Sequence, residues 1–410
     1  MKILLLNDYG TATGGAELQM LSLRQGLRDR GHEVRLFSSR ASLVAESPLL
    51  SDYHCFGSTS RLQVLSQTIN PSAYFQLQSA LQDFQPDVVH VRMFMWQLSP
   101  LILPLLKTVP CLYQTAVYKA ICPLGTKVLP DGKACQSVAG IACWRSGCLT
   151  PQSWAVLMLQ RQLWQRWRDR FDLVVALSHG MKRQLEAEGM QPIEVVYNGV
   201  PERSMRPPLS HPPTIAYAGR LVPEKGVDIL LRSLARIQPH LPAVRLLIAG
   251  RGPEEKQLQQ LARSLGISDR ITWLGHLPRS EMERQFEAAW VQVVPSRWEE
   301  PFGNVSTEAM MRGTAAIVSG VGAQPEIVED GITGFLVPPG DVEALANKLL
   351  EVLKNVALAE SMGQAGRQRA IQFFSEDRRT ERFLELYRQL QERYSPSARI
   401  ERSPVGWVER

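Results

Sequence analysis

The chain lacks any long apolar run. Its opening stretch, Ile3-Leu4-Leu5-Leu6, ends after four residues at Asn7-Asp8, far short of the ~20 apolar residues that span a bilayer. It reads as a first strand and not as a leader, so the expected location is cytoplasmic. Low-complexity tracts are missing, and so is any repeat of roughly 20–50 residues, which excludes disordered and solenoid classes. Cysteine is scarce, with six in 410 residues and no Cys-x2-Cys pair. That weakens a zinc reading, and a reducing compartment disfavours a disulfide framework. Charge is not extreme either. The net is +6, and residues 1–197 carry 19 Lys and Arg against 14 Asp and Glu, or +5. So mild a bias argues against nucleic acid. It fits an acidic small-molecule acceptor, an anionic membrane surface, or a solvated basic face.

What is present is a globular composition, 44% hydrophobic and 21% charged, in a chain too long for one ordinary core. Two domains are expected. Residues 1–197 alternate strand-like and helix-like segments. Strands are expected at Lys2–Leu6, Val34–Phe37, Asp87–Val91, Asp172–Leu177 and Val195–Tyr197, and a helix over 15–30 stops at Gly31. Five prolines between Pro201 and Pro213 mark a linker, taken as 198–213. The alternation restarts over 214–375, with strands at Thr214–Ala218, Arg245–Ala249, Arg270–Leu274, Val291–Val294 and Ala315–Val318. A terminal helix over Glu376–Tyr394, in a last segment 376–410, sets Phe383, Leu386, Tyr387 and Leu390 on one face. The fold class is α/β, with two doubly wound, parallel-sheet, Rossmann-like domains facing across a cleft.

The richest stretch is Glu299-Glu300-Pro301-Phe302-Gly303-Asn304, followed by Glu308-Ala309-Met310. It stands between a buried strand and a helix. The helix N-terminus suits an anion. Gly303 lets backbone approach a ligand, and the carboxylates of Glu300 and Glu308 suit hydroxyls of a sugar and a ribose. The reading is a site for a sugar attached to phosphate. Three further segments follow strands of the same half. In Gly219-Arg220…Lys225-Gly226, both cations can reach a diphosphate, and fixed cations lower the barrier to its departure. Gly250-Arg251-Gly252 permits close backbone approach, or is a plain tight turn. Gly320-Val321-Gly322-Ala323-Gln324-Pro325-Glu326 makes Glu326 a structural anchor rather than a catalyst. In the first half, Gly14-Gly15 opens the first helix, either as a ligand-facing loop or as a tight turn.

These residues resemble the Glu-x7-Glu signature of retaining nucleotide-sugar glycosyltransferases of family 4. The resemblance covers essentially the whole chain and is strongest over 198–340. It implies the GT-B architecture, with the terminal helix crossing back to the N-terminal domain. It implies a UDP- or GDP-type nucleotide-sugar donor and a saccharide or lipid-linked acceptor, with no cofactor or metal required. Arg220, Lys225 and Glu300 take the catalytic positions. Gly14, Gly15, Gly219, Gly250, Phe302, Gly303, Asn304 and Glu308 take donor-binding positions.

One part of the chain departs from that pattern. Family members with a Cys-Pro loop carry His-Asp about six residues before it, whereas this chain reads Thr115-Ala116-Val117-Tyr118 before Cys122-Pro123. Ala116 takes the histidine's place on the acceptor side. His90 is a candidate to line the cleft in its stead, or is a core histidine. The loop's Cys122, Cys135, Cys143 and Cys148 are unlinked thiols or, as the weaker alternative, a metal or disulfide clip. Residues 153–172 combine Trp154, Trp164 and Trp167 with four arginines. Such a helix either packs its aromatic side inward or makes peripheral membrane contact. Two rival functions remain: a nucleotide-sugar epimerase of the same fold, and a catalytically silent donor-binding protein.

Overall fold

The computed structural model describes residues 1–44, 47–60 and 63–394. The expected terminal segment therefore falls partly, at 395–410, outside the described residues.

Among the described residues, thirteen strands form two wholly parallel sheets. The first contains β1 (Lys2–Tyr9), β2 (Glu33–Ser39), β3 (Tyr53–Cys55), β4 (Val88–Val91), β5 (Cys111–Gln114), β6 (Leu173–Ala176) and β7 (Ile193–Val195). The second contains β8 (Thr214–Ala218), β9 (Arg245–Ala249), β10 (Ile271–Gly275), β11 (Val291–Val294), β12 (Ala315–Ser319) and β13 (Gly334–Val337). Their orders are β3-β2-β1-β4-β5-β6-β7 and β10-β9-β8-β11-β12-β13. The strands are apolar without alternation because helices cover both faces; Ile3, Leu4, Leu5 and Leu6 are all fully buried. The expected doubly wound pair of sheets is what is found. Strands β3, β5 and β13 were not anticipated, and β7 lies two residues earlier than expected. Tyr53-His54-Cys55 and Cys111-Leu112-Tyr113-Gln114 are too short to show a period.

In each sheet the strand order reverses once, between β1 and β4 and between β8 and β11. At such a switch point the neighbouring loops part and leave a crevice beyond the carboxyl ends of the strands. The four loops leaving β1, β4, β8 and β11 are those that carry the Gly14-Gly15, Arg92, Arg220–Lys225 and Glu299–Asn304 residues.

The chain crosses between the halves twice, side by side. Val200 N donates to Phe374 O at 2.7 Å, and Glu376 N donates to Val200 O at 3.2 Å. A Cβ on Gly199 would stand 2.6 Å from the Glu376 Cα, so this crossing needs a glycine. The helix Glu376–Tyr394 then lies back on the first sheet. Phe383, Leu386, Tyr387 and Leu390 bury against Ile3, Leu5, Val88 and Leu112, completing that sheet's outer core. Among the described residues, no helix is long and apolar enough to cross a membrane.

Candidate active site

The strand β8 ends at Ala218, and the turn after it is forced by backbone crowding. Gly219 and Gly250 both have positive φ, and a Cβ on Gly250 would stand 1.8 Å from the Gly219 carbonyl oxygen. These two glycines are explained by strand end meeting strand end. Gly226, also left-handed, faces the Pro295 carbonyl at a would-be Cβ distance of 2.1 Å. This brings the Arg220–Lys225 turn against the loop leaving β11.

The contact that results is a salt bridge. Lys225 Nζ lies 2.8 Å from Glu300 Oε1, with side chains only 16% and 9% exposed. Ser296 Oγ also donates to Glu300 Oε1, and Lys225 Nζ sits 5.5 Å from the centre of the Trp298 ring. Arg220 differs. Its side chain is 65% exposed and only 3.5 Å from Glu224 Oε1, leaving its fork of donors open to solvent.

The helix Asn304–Met311 begins directly after this loop, at Gly303. Gly303 has extended backbone, so its glycine is explained by space: a Cβ would come within 2.6 Å of Gln324 Nε2 and 3.0 Å of Ile327. Phe302 turns its ring into the core against Tyr197 and Phe374, leaving backbone to the crevice. Glu308 lies one turn into the helix and pairs with Arg279, Nη2 to Oε1 3.0 Å. Burial pushes its carboxyl pKa up, against the opposing pull of Arg279 and Arg312.

The first sheet supplies the facing wall. A Cβ on Gly15 would stand 3.6 Å from Asn304 Nδ2, so the N-terminus of the first helix, Gly15–Asp29, meets that of the second. Glu17 folds its carboxylate back over Gly14. Burial raises its pKa, and Arg92 pulls it down. Two helix N-termini thus meet beside the loop that carries the Lys225–Glu300 pair, and their free backbone N–H groups suit phosphate.

The seam between the halves is stitched by a few polar contacts. Glu326 accepts from His179 N and Gly180 N, each at 2.8 Å, at the start of the helix His179–Ala187. Ser178 Oγ donates to Pro301 O at 2.9 Å, and Gln184 Nε2 donates to Glu299 Oε2 at 2.9 Å. Asn198 Nδ2 donates to Asn304 Oδ1 at 3.1 Å.

Two expectations are corrected here. His90 does not line the cleft. It is fully buried in β4 under the terminal helix, accepting at Nδ1 from the Tyr387 hydroxyl at 2.6 Å and donating from Nε2 to Gln114 Oε1 at 3.2 Å. Burial first, then the charge of Arg92, drives its pKa down to about 3, so it is a neutral core imidazole. Ala116, in contrast, is half-buried two residues past β5, where the crevice opens. The metal alternative at the cysteines also fails. Among the described residues, no group of three or more His, Cys, Asp or Glu is arranged to hold a metal ion. All six cysteines are free thiols. Cys122, Cys135, Cys143 and Cys148 do line one small apolar pocket. The loop is ordered instead by a hairpin, Leu129 N to Lys133 O at 2.8 Å and Cys135 N to Lys127 O at 2.7 Å. The tryptophan-rich helix, Pro151–Trp167, turns its aromatics inward: Trp164 is buried with Nε1 donating to Ala120 O at 2.9 Å, and Arg161 pairs with Glu188.

Sequence reasoning missed several residues at the site. Ser296, Trp298 and Arg279 touch Lys225, Glu300 or Glu308. Arg92 is buried and donates to Gln114 Oε1 at 2.6 Å and Asn198 Oδ1 at 3.2 Å. It ties Asn304 to the interior of the first half. An arginine immediately after the buried strand Val88–Val91 was the available signal.

Residues 14–199 match the family described as "Glycosyl transferase 4-like domain", and residues 203–369 match "Glycosyl transferases group 1". The glycogen synthase of Mycobacterium tuberculosis is 33% identical over 234 residues, covering 55% of this chain and 54% of the synthase. The chain therefore spans about half the length of that curated relative. The phosphatidyl-myo-inositol mannosyltransferase of Mycobacterium leprae is 27% identical over 373 residues, covering 86% of this chain and 87% of that protein. Among solved structures, sucrose-phosphate synthase from Thermosynechococcus elongatus has a TM-score of 0.71 at 22% identity, covering 95% of this chain and 99% of that one. The Anabaena protein HepE in complex with UDP has a TM-score of 0.69 at 20% identity, covering 95% and 100%. With both halves matched and both sheets in this order, the chain belongs to the glycosyltransferases of the family 4 type, built on the GT-B fold.

Proposed function

We propose that this glycosyltransferase moves a sugar from a UDP- or GDP-type nucleotide-sugar to an acceptor hydroxyl with retention of anomeric configuration. The observation that carries the reading is the Lys225–Glu300 pair at the β8 and β11 switch point, facing two converging helix N-termini. Relatives' names point the same way: a HepE structure holds UDP-glucose, and the Mycobacterium leprae relative is a mannosyltransferase.

In this mechanism Arg220 and Lys225 bind the diphosphate, whose negative charge grows as the bond to the anomeric carbon breaks. The acceptor oxygen forms its bond on the same face. Its proton passes to the departing phosphate oxygen, so no protein nucleophile is needed. Glu300 holds the donor sugar's hydroxyls and supports positive charge at the anomeric carbon. Glu308 binds the ribose, and Phe302, Gly303 and Asn304 present backbone to sugar and phosphate. Gly14 and Gly15 approach from the opposite wall. Residues 214–375 form the donor wall, and 1–197 with the terminal helix form the acceptor wall, joined through 198–213.

The acceptor is a saccharide or lipid-linked sugar. Peripheral contact with an anionic lipid surface falls in this reading to the cysteine-bearing loop, not to the tryptophan-rich helix. There Val138, Ile141 and Trp144 are 64%, 45% and 46% exposed. Ile141 and Trp144 share a helical face, and Lys127, Lys133 and Arg145 flank them against a single acid, Asp131.

Incubation with a panel of nucleotide-sugars and saccharide acceptors, with the product's anomeric configuration read by NMR, tests the reaction. An inverted product refutes retention. A released epimer without acceptor favours the epimerase.

A further inference from the structure

Two buried hydrogen-bonding groups beside Glu300 have no partner: the Tyr118 hydroxyl and Trp298 Nε1. Each comes from a different half. Tyr118 opens the short turn after β5 and is 1% exposed. Trp298 stands in the loop after β11, also buried, two residues before Glu300. Their rings meet edge to face with centroids 6.5 Å apart, so they close the crevice against one another. Burial pushes the Tyr118 pKa up, and the nearby carboxylates of Glu299, Glu300 and Glu326 push it the same way. That hydroxyl is therefore a neutral donor within the influence of three carboxylates. Lys225, paired to Glu300, lies over the Trp298 ring.

An unpaired polar group in a native interior costs free energy and has a cause, of which a binding role is one. The chemistry here selects the ligand. Two neutral donors, two aromatic rings and one carboxylate do not suit a phosphate, which Arg220 and Lys225 would hold. They do suit a pyranose. Its hydroxyls accept from Tyr118 and Trp298 and donate to Glu300, and its C–H faces pack on aromatic rings.

We propose that Tyr118 and Trp298 form a subsite for the hydroxyls of the donor sugar, completed when the sugar parts the two rings at the seam between the halves. The proposal rests on the transferase reading and adds to it a specificity-determining pair that no motif contains. The seam is joined there by the ring contact itself and by polar contacts such as Gln184–Glu299 and Ser178–Pro301, which the entering sugar would exchange for its own.

The substitution Tyr118→Phe keeps the ring and removes only the hydroxyl, which bonds to nothing in the protein. Its melting temperature should therefore equal or exceed that of the wild type. The probes are free UDP and GDP, and whichever UDP- or GDP-sugar of a panel most raises the wild-type melting temperature. Calorimetry should show unchanged affinity for the free nucleotide and about tenfold weaker affinity for the nucleotide-sugar, the effect of one lost hydrogen bond to a buried site. Trp298→Phe should do the same to the nucleotide-sugar. A Tyr118→Phe protein with wild-type nucleotide-sugar affinity and wild-type turnover overturns the subsite while leaving transfer intact. A lowered melting temperature with unchanged sugar affinity also overturns it, by assigning the hydroxyl to the fold. A wild type that binds no nucleotide-sugar at all removes the transferase reading, and the subsite falls with it.

Discussion

Lys225 Nζ and Glu300 Oε1, 2.8 Å apart, join the two loops that leave the second sheet at its switch point. In the proposed mechanism the two groups serve different parts of the donor, the lysine the leaving diphosphate and the glutamate the sugar. Entry of the donor must therefore exchange their contact for contacts with the ligand. Lys225→Ala should lower turnover at saturating donor on the order of 100-fold, the cost of one lost transition-state donor. Arg220→Ala should have a loss of similar size, because its exposed guanidinium has no strong partner to release. Unchanged turnover in either variant removes that cation from the leaving-group role.

The division of labour between the two acids is separately measurable. Glu308→Gln should weaken free nucleotide and nucleotide-sugar together, since its proposed partner is the ribose. Glu300→Gln should spare the free nucleotide and weaken only the sugar-bearing donor. Isothermal calorimetry with both ligands on both variants reads this directly, and equal losses across all four titrations refute the assignment. Glu308 already pairs with Arg279, so Arg279→Ala should mimic part of the Glu308→Gln effect.

His90 provides a pH-dependent test of the core. Its folded pKa of about 3 lies below the ordinary 6.5. A depressed folded pKa means stability that is fully present above pH 6.5 and lost as pH falls toward 3. Asp8 acts with the opposite sign: burial raises its carboxyl to about 6, although backbone N–H donors at Leu98, Trp96 and Gln97 and the charge of Lys119 lower it. Its contribution is present below 3.8 and lost as pH rises through 6. The two nearly offset each other between pH 4 and 6. His90→Gln should uncover the Asp8 term. Relative to the variant, the wild type should lose about 1.4 kcal/mol per pH unit below pH 6.5. Urea melts at pH 7, 6, 5 and 4 measure this, and a constant difference across the series refutes it. Arg92, Arg379 and Tyr387, which surround the ring, remain in both proteins.

Much of this was legible from the sequence, for identifiable reasons. The strands Thr214–Ala218 and Val291–Val294 are buried on both faces and so appear as uninterrupted apolar runs. The loops that follow them must carry glycine or cations, which is why Gly219, Arg220, Lys225 and Gly303 stood out. His90 was ambiguous because a histidine in a buried strand looks the same whether its ring meets a crevice or Tyr387. Only the return of the terminal helix, nearly three hundred residues later, decides the matter. Tyr118 and Trp298 were invisible for a related reason: what marks them is the absence of a hydrogen-bond partner, a property of the assembled seam. The four clustered cysteines are unlinked, as the favoured reading had it, and a loop closed by its own backbone hairpin needs no clip.

Contact with a lipid surface can be located by substitution. Trp144 and Ile141 lie on the same face of the five-residue helix Ile141–Arg145, with Val138 just ahead and Lys127, Lys133 and Arg145 around them. Only Asp131 opposes these charges, and it is already paired with Lys133 at 3.0 Å. An interfacial tryptophan with a surplus of cations should prefer anionic lipid, each cation contributing about 1 kcal/mol near such a surface. The wild type should therefore sediment with phosphatidylcholine vesicles containing phosphatidylglycerol and stay in the supernatant with phosphatidylcholine alone. Trp144→Ser combined with Ile141→Ser should lower that binding about tenfold or more, since two apolar side chains leave the interface. Ile332→Ser, which removes an exposed apolar residue from the donor half, should have no effect. Turnover with a soluble saccharide acceptor should be the same in all three proteins, because none of these residues touches Lys225, Glu300 or Glu308. If the double variant binds anionic vesicles as well as the wild type does, the loop is not the docking element. If the wild type binds neither kind of vesicle, the acceptor reaches the crevice from solution.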